Sequence, residues 1–196
     1  MADSKPRCPG RRLTSAVLHD LDAIDGALYA AVATTSTPTL DRALRKLSRV
    51  ADHSKLSFAI AGLLALFPGP PRRAALVGAG AVALASASAN LLAKSFVRRS
   101  RPDREAAKVI VDRHVPMPKS ASFPSGHTAS ATAFATAVGV MFPPAAVAVG
   151  ASAAAIGYSR VHTGVHYPGD VAGGALVGFA VAATVLSVGR RRRCRV

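Results

Sequence analysis

The chain has 196 residues, half of them hydrophobic, a formal net charge of +15 and no tryptophan. Its charges are segregated: residues 74–93, 126–158 and 171–189 contain no Lys, Arg, Asp or Glu, while arginines crowd the tails and loops. This excludes a nucleic-acid binder, which would spread Lys and Arg along amphipathic faces interleaved with stacking aromatics, and points to a membrane protein whose arginines meet anionic lipid.

Residues 1–12 read as a basic tail, 13–189 as a single membrane-embedded domain and 190–196 as a second basic tail. The two cysteines, Cys8 and Cys194, fall one in each tail, which argues against a structural disulfide and against a thiol nucleophile. His19, Asp20, Asp22 and Asp25 follow the first tail, so no apolar signal-peptide core is present and targeting rests with the spans. Over 13–35, Leu13, Val17, Leu21, Ile24, Leu28 and Val32 recur at helical spacing around those acids. That helix either lies at the membrane interface or spans with its acids packed against the bundle. After Pro38, Leu40, Leu44 and Leu47 oppose Arg42, Arg45, Lys46 and Arg49, the pattern of a membrane-surface helix.

Residues 55–67 are apolar but short of the roughly 20 residues a bilayer requires, so the helix is expected to begin near Ala51, with Asp52 and His53 at the headgroups. Pro68 to Arg73 break it. Residues 74–97 form the best span, with Ser86, Ser88 and Asn90 expected to face other helices and Ala81, Ala85 and Ala89 forming a small stripe. Gly174 and Gly178 supply a matching small pair in the last span. Residues 98–122 are a polar loop carrying prolines at 102, 116 and 118. A helical hairpin, 126–142 and 145–160, breaks at Pro143-Pro144, and 168–188 precede Arg190 to Arg193. The expected fold is an all-α integral membrane bundle of five or six spans with N-terminal amphipathic helices.

Three polar blocks interrupt this apolar chain: Lys94 with Arg101-Pro102, then Pro124-Ser125-Gly126-His127, then Arg160 with His166 and Asp170. The parity of crossings brings all three to one membrane face. Arg72-Arg73, Pro143-Pro144 and the C-terminal arginines fall on the other, which the positive-inside rule makes cytoplasmic. Arg98, Arg99, Arg104, Arg113 and Lys119 also lie on the motif face, so the charge asymmetry is modest.

Pro-Ser-Gly-His opens a helix whose free N–H groups and positive end attract an anion. Taken alone, the same turn also reads as an N-cap, with Ser125 capping and His127 facing water. Together, however, the three blocks resemble the signature of the type 2 phosphatidic acid phosphatase superfamily, which includes vanadium haloperoxidases and acid phosphatases, and all eight positions are filled between Lys94 and Asp170.

The chemistry follows the same lines. Lys94, Arg101 and Arg160 can neutralise phosphoryl oxygens, with the Ser125 hydroxyl and Gly126 N–H adding directional donors. Any one of these cations alone would read as a snorkelling anchor. His166, four residues before Asp170, is the expected nucleophile, since a helical i, i+4 pair lets the carboxylate hold one ring N–H and leave the other nitrogen to attack. His127 fits a general acid protonating the leaving oxygen. The resemblance implies the same roles, a phosphohistidine and metal-independent hydrolysis without cofactor.

A metal site built from His127, His162, His166 and Asp170 is the alternative chemistry, which three cations in the same pocket disfavour. His162 reads as a polar loop residue, and His53 and His114 carry no signal. The expected protein is a plasma-membrane lipid phosphate phosphatase acting on a glycerolipid or polyprenyl phosphate or pyrophosphate, its site on the extracytoplasmic face. A phosphotransferase using the same site and a non-enzymatic scaffold are the alternatives, and oligomeric state is not legible. The stretch preceding the motifs resembles the phosphatase portion of larger actinobacterial proteins that carry a lipid kinase domain, which favours cell-envelope substrates.

Overall fold

Proline opens four of the seven α-helices among the described residues, where its fixed φ suits the first turn and its missing N–H leaves no gap. The computed structural model describes residues 9–93 and 99–193. In chain order the helices are α1 (Pro9–Thr34), α2 (Pro38–Val50), α3 (Lys55–Ala65), α4 (Pro70–Ala87, continued by a π-helical turn, Ser88–Ala93), α5 (Gly126–Met141), α6 (Ala146–His162) and α7 (Pro168–Arg193). Helix α1 begins inside the stretch read as an N-terminal tail, and α7 runs through arginines read as the C-terminal one.

Helix α5 is the hub, packed on α4, α6 and α7. Its contacts are made by small side chains. Ala81, Ala85 and Ala89 of α4 are fully buried against Ala129, Ala133 and Ala137 of α5 and Ala182 of α7, as the small stripe predicts. A methyl group added at Gly174 would lie 2.4 Å from the Ser125 carbonyl oxygen, and one at Gly178 2.4 Å from that of Ala129. The α5–α7 crossing is therefore backbone against side-chain-free backbone, the small-residue packing characteristic of membrane helices. Of the three polar residues expected to face other helices, Ser86 does so, its hydroxyl 2.8 Å from that of Ser130 on α5.

Large apolar side chains face outward. Leu66, Leu76, Leu91, Val147 and Leu176 are each at least 65% exposed, an arrangement that costs water contact in an aqueous protein and none in hydrocarbon. Two helices, Pro70–Leu91 and Pro168–Arg191, are long and apolar enough to cross a membrane, with mean hydropathies of 1.6 and 2.1. Helices α5 and α6 have 16 and 17 residues, a little under a full bilayer crossing.

Three expectations need correction. Helix α3 does not begin near Ala51: a 3-10 turn, Asp52–Ser54, intervenes, and left-handed φ values of 56° at His53 and 58° at Ser54 stop α2 from running on. Pro70 to Arg73 belong not to the break but to the first turn of α4. Arg113 of the motif face is fully buried, donating to Asp41 at 2.9 Å and to carbonyls at the end of α1. His162 is not a polar loop residue. It ends α6, buried, with Nε2 2.9 Å from Asp41 Oδ1. Arg113, Asp41 and His162 thereby pin the α1–α2 turn and the long loop to the end of α6, which a charge can do in the interior only with its partners in place. Of the acids of α1, Asp25 packs inward, taking Arg99 at 2.6 Å and accepting the Gly169 N–H, while Asp22 meets Arg99 at 2.7 Å from an exposed position.

Candidate active site

At one end of the bundle, the N-terminus of α5, the C-terminus of α6, one face of α4, the turn before α3 and the long loop surround a cavity of about 500 Å³. Arg101, Gly126, His127, Arg160 and His166 line it, so residues spread over 66 positions converge. Lys94 lies outside the described residues.

His166 sits in the loop between α6 and α7 and is 2% exposed. Its Nδ1 lies 3.4 Å from Asp170 Oδ2, and its Nε2 lies 3.2 Å from Arg101 Nη1 on the cavity side. Asp170, in the first turn of α7, is fixed from every side. It accepts from the Ser122 hydroxyl, from the Tyr167 N–H at 2.9 Å and from Arg99 at 3.2 Å. A carboxylate so anchored holds the proton of His166 on Nδ1 and leaves a lone pair on Nε2. Arg101 is steered by the backbone, donating to the carbonyls of Val165 at 2.8 Å and Ser120 at 2.9 Å.

Burial pushes the His166 imidazole down to about 4, and Arg101 and Arg160 add to this against the hydrogen bond to Asp170. The neutral form therefore persists well below the ordinary histidine value of about 6.5. Since protonation consumes the lone pair, the acid limb of the kcat/KM profile is expected near pH 4, and an acid limb at 6 or above would contradict this electrostatic picture.

His127 is the second residue of α5, and its Nε2 donates to Asp52 Oδ1 at 2.9 Å. Arg160 is 2% exposed, and its Nη1 bonds the Ser48 hydroxyl at 2.6 Å and lies 3.6 Å from Asp52. Its Nε is buried without a hydrogen-bond partner among the described residues, a donor that an anion in the cavity can take. Ser125 is placed differently from the phosphate-facing hydroxyl expected. It is fully buried below the cavity and caps α5, its Oγ accepting from the Thr128 hydroxyl at 3.0 Å and the Thr128 N–H at 3.4 Å. Its N–H bonds the Asp170 carbonyl at 2.9 Å, tying the Pro-Ser-Gly turn to the α7 start. Gly126 and His127 are thus aimed at the cavity by a cap beneath them. The four residues weighed as a metal set do not converge, because His162 turns away to Asp41.

Sequence reasoning did not find Asp52, Ser48, Ser122 or Arg99. Asp52, Ser48 and Ser122 lie outside the three blocks and Arg99 between Lys94 and Arg101, and the role of each depends on tertiary contacts. The arrangement offers a cavity lined by two guanidiniums, a helix N-terminus, a buried imidazole nitrogen backed by a carboxylate and a second imidazole.

Comparisons with known proteins agree. Residues 74–194 match the family described as the PAP2 superfamily. A decaprenylphosphoryl-5-phosphoribose phosphatase from Mycobacterium tuberculosis is 38% identical over 158 residues, 76% of this chain and 80% of the relative. A lipid A 1-phosphatase from Rhizobium etli is 46% identical over 57 residues, 29% of this chain and 25% of that one. Among solved structures, Aquifex aeolicus LpxE superposes with a TM-score of 0.64 at 25% identity, over 82% of this chain and 93% of that one. A transmembrane PAP2 type phosphatidylglycerolphosphate phosphatase from Bacillus subtilis shares the fold at a TM-score of 0.63 and 22% identity, over 91% and 92%.

Proposed function

The chain belongs to the PAP2 superfamily, and from that premise we propose that it is a multi-pass phosphatase of the plasma membrane that removes a phosphate from a polyprenyl-linked lipid through a phosphohistidine. It is an enzyme, a phosphoric ester hydrolase acting on lipid phosphates. The observation that carries this reading is the cavity itself, where His166 Nε2, backed by Asp170, opens beside Arg101 and Arg160.

The phosphoryl group sits between the guanidiniums of Arg101 and Arg160 and the first N–H groups of α5 at Gly126, with Lys94 as a third cation and Ser125 holding the cap that orients the turn. His166 Nε2 donates its lone pair to phosphorus as the P–O bond to the lipid breaks. The leaving oxygen takes a proton from His127. Water then attacks the phosphohistidine, giving a proton to His127, and inorganic phosphate departs as His166 is restored. The fixed charges do most of the work, since charge gathers on the equatorial oxygens in the transition state.

Residues 13–189 act as one domain crossing the membrane five or six times. The Arg190–Arg193 cluster, at the far end of α7 from the cavity, supports a cytoplasmic C-terminus and an extracytoplasmic site. The relative that acts on decaprenylphosphoryl-5-phosphoribose matches most of this chain, which favours a polyprenyl-phosphate sugar carrying a terminal phosphate over a glycerolipid.

The test is phosphate release by detergent-purified protein from a polyprenylphosphoryl pentose phosphate, phosphatidic acid, phosphatidylglycerol phosphate and a polyprenyl pyrophosphate, with and without EDTA. The expected result is fastest release from the first substrate, undiminished by EDTA. Release abolished by EDTA would overturn the metal-independent mechanism, and preference for a glycerolipid would overturn the substrate assignment.

A further inference from the structure

Asp52 belongs to none of the three motif blocks, yet it bonds the second catalytic imidazole. It comes from the turn between α2 and α3 and crosses to the N-terminus of α5, where its Oδ1 accepts from His127 Nε2 at 2.9 Å across 75 positions of sequence. The same oxygen lies 3.6 Å from Arg160 Nη1. The side chains lining the cavity there are Asp52, His53, His127, Arg160 and His166, so Asp52 is the carboxylate facing His127. The next two residues of the turn, His53 and Ser54, both adopt left-handed φ although neither is glycine. Backbone of this kind persists where surrounding contacts hold it, and it recurs at functional sites.

From this juxtaposition we infer that Asp52 is a positioning residue for the acid step, holding His127 through Nε2–H so that its other ring nitrogen delivers the proton to the leaving oxygen. The inference rests on His127 being the general acid of the proposed phosphatase. Each histidine then has its own carboxylate: Asp170 fixes the His166 tautomer that leaves Nε2 open for attack, and Asp52 holds His127 through its Nε2–H beside Arg160. In the step concerned, the P–O bond breaks toward oxygen, the electron pair stays on that oxygen, and the Nδ1 proton of His127 moves to it. His127 is left neutral, still bonded to Asp52 through Nε2–H.

A positioning role in proton delivery depends on how badly the leaving group needs a proton, whereas a purely structural role does not. The measurement is kcat/KM of wild type and Asp52→Asn on two substrates: a lipid alkyl phosphate, whose alkoxide must be protonated as it leaves, and p-nitrophenyl phosphate, whose phenolate need not be. Asp52→Asn is expected to lose about 10²-fold on the lipid phosphate and to stay within about threefold of wild type on the aryl phosphate, with Asp52→Glu recovering most of the loss. Asp52→Ser supplies the same comparison where Asp52→Asn does not fold. Equal losses on both substrates, or no loss on the lipid, overturn the assignment while wild-type turnover leaves the phosphatase reading standing. Wild type inactive on both substrates overturns the phosphatase reading and the assignment with it.

Discussion

His166→Ala is expected to lower lipid phosphate turnover by about 10⁴-fold or more, with the protein still folded. The size follows from what the side chain does: among the described residues lining the cavity, His166 is the imidazole held by Asp170 with its other ring nitrogen against Arg101. Truncation leaves the guanidiniums and the α5 N-terminus to bind phosphate, so affinity for the substrate is expected to fall far less than turnover. His166 touches the fold chiefly through Asp170, which keeps its bonds to Ser122, Tyr167 and Arg99. Single-turnover kinetics beside a thermal unfolding scan check both halves. Retention of more than a hundredth of wild-type turnover would remove His166 from the nucleophile's role.

Gly178→Val is expected to be the most damaging change away from the cavity, at about 3 kcal/mol or more of stability. Its first added carbon would meet the Ala129 carbonyl oxygen at 2.4 Å and the Ala133 nitrogen at 2.9 Å, both backbone, so no side-chain rotation relieves the clash. Helices α5 and α7 must separate. The site shares the damage, because the same crossing carries Gly174 against the Ser125 carbonyl and ties Ser125 N–H to Asp170. Gly150→Val is the control, since nothing lies within 4 Å of its added methyl position. Thermal unfolding in detergent should separate the two variants widely, and equal melting temperatures would contradict the close α5–α7 approach.

The helices were legible where proline and charge-free runs bound them, as in α2, α5 and α7, because those signals are local, whereas α4 begins at Pro70, inside the stretch read as a break. The start of α3 was not, since consecutive left-handed conformations at His53 and Ser54 are set by the tertiary position of Asp52 rather than by either residue's propensity. In the site, the His166–Asp170 pair is legible from a helical four-residue spacing, whereas His166 lies in the loop before α7 and its ring reaches Asp170 at 3.4 Å from there. Arg160's bond to Ser48 spans 112 positions and that of Arg113 to Asp41 spans 72, and no pattern in a single sequence carries such pairings. Arg113 is instructive: a lone arginine in a polar loop reads as solvated, and only its buried partner Asp41 makes the interior tolerable. Ser125 carried two readings from its motif, capping and phosphate binding. The geometry shows the cap, its Oγ accepting from the Thr128 hydroxyl and N–H.

The central claim is a phosphate covalently held on His166, and rapid quenching with a substrate labelled at its terminal phosphate tests it most directly. The account predicts a labelled protein whose phosphate survives alkali and is lost in acid, carried on the peptide containing His166 and absent from His166→Ala. Label on any other residue, or none during rapid turnover, would contradict it.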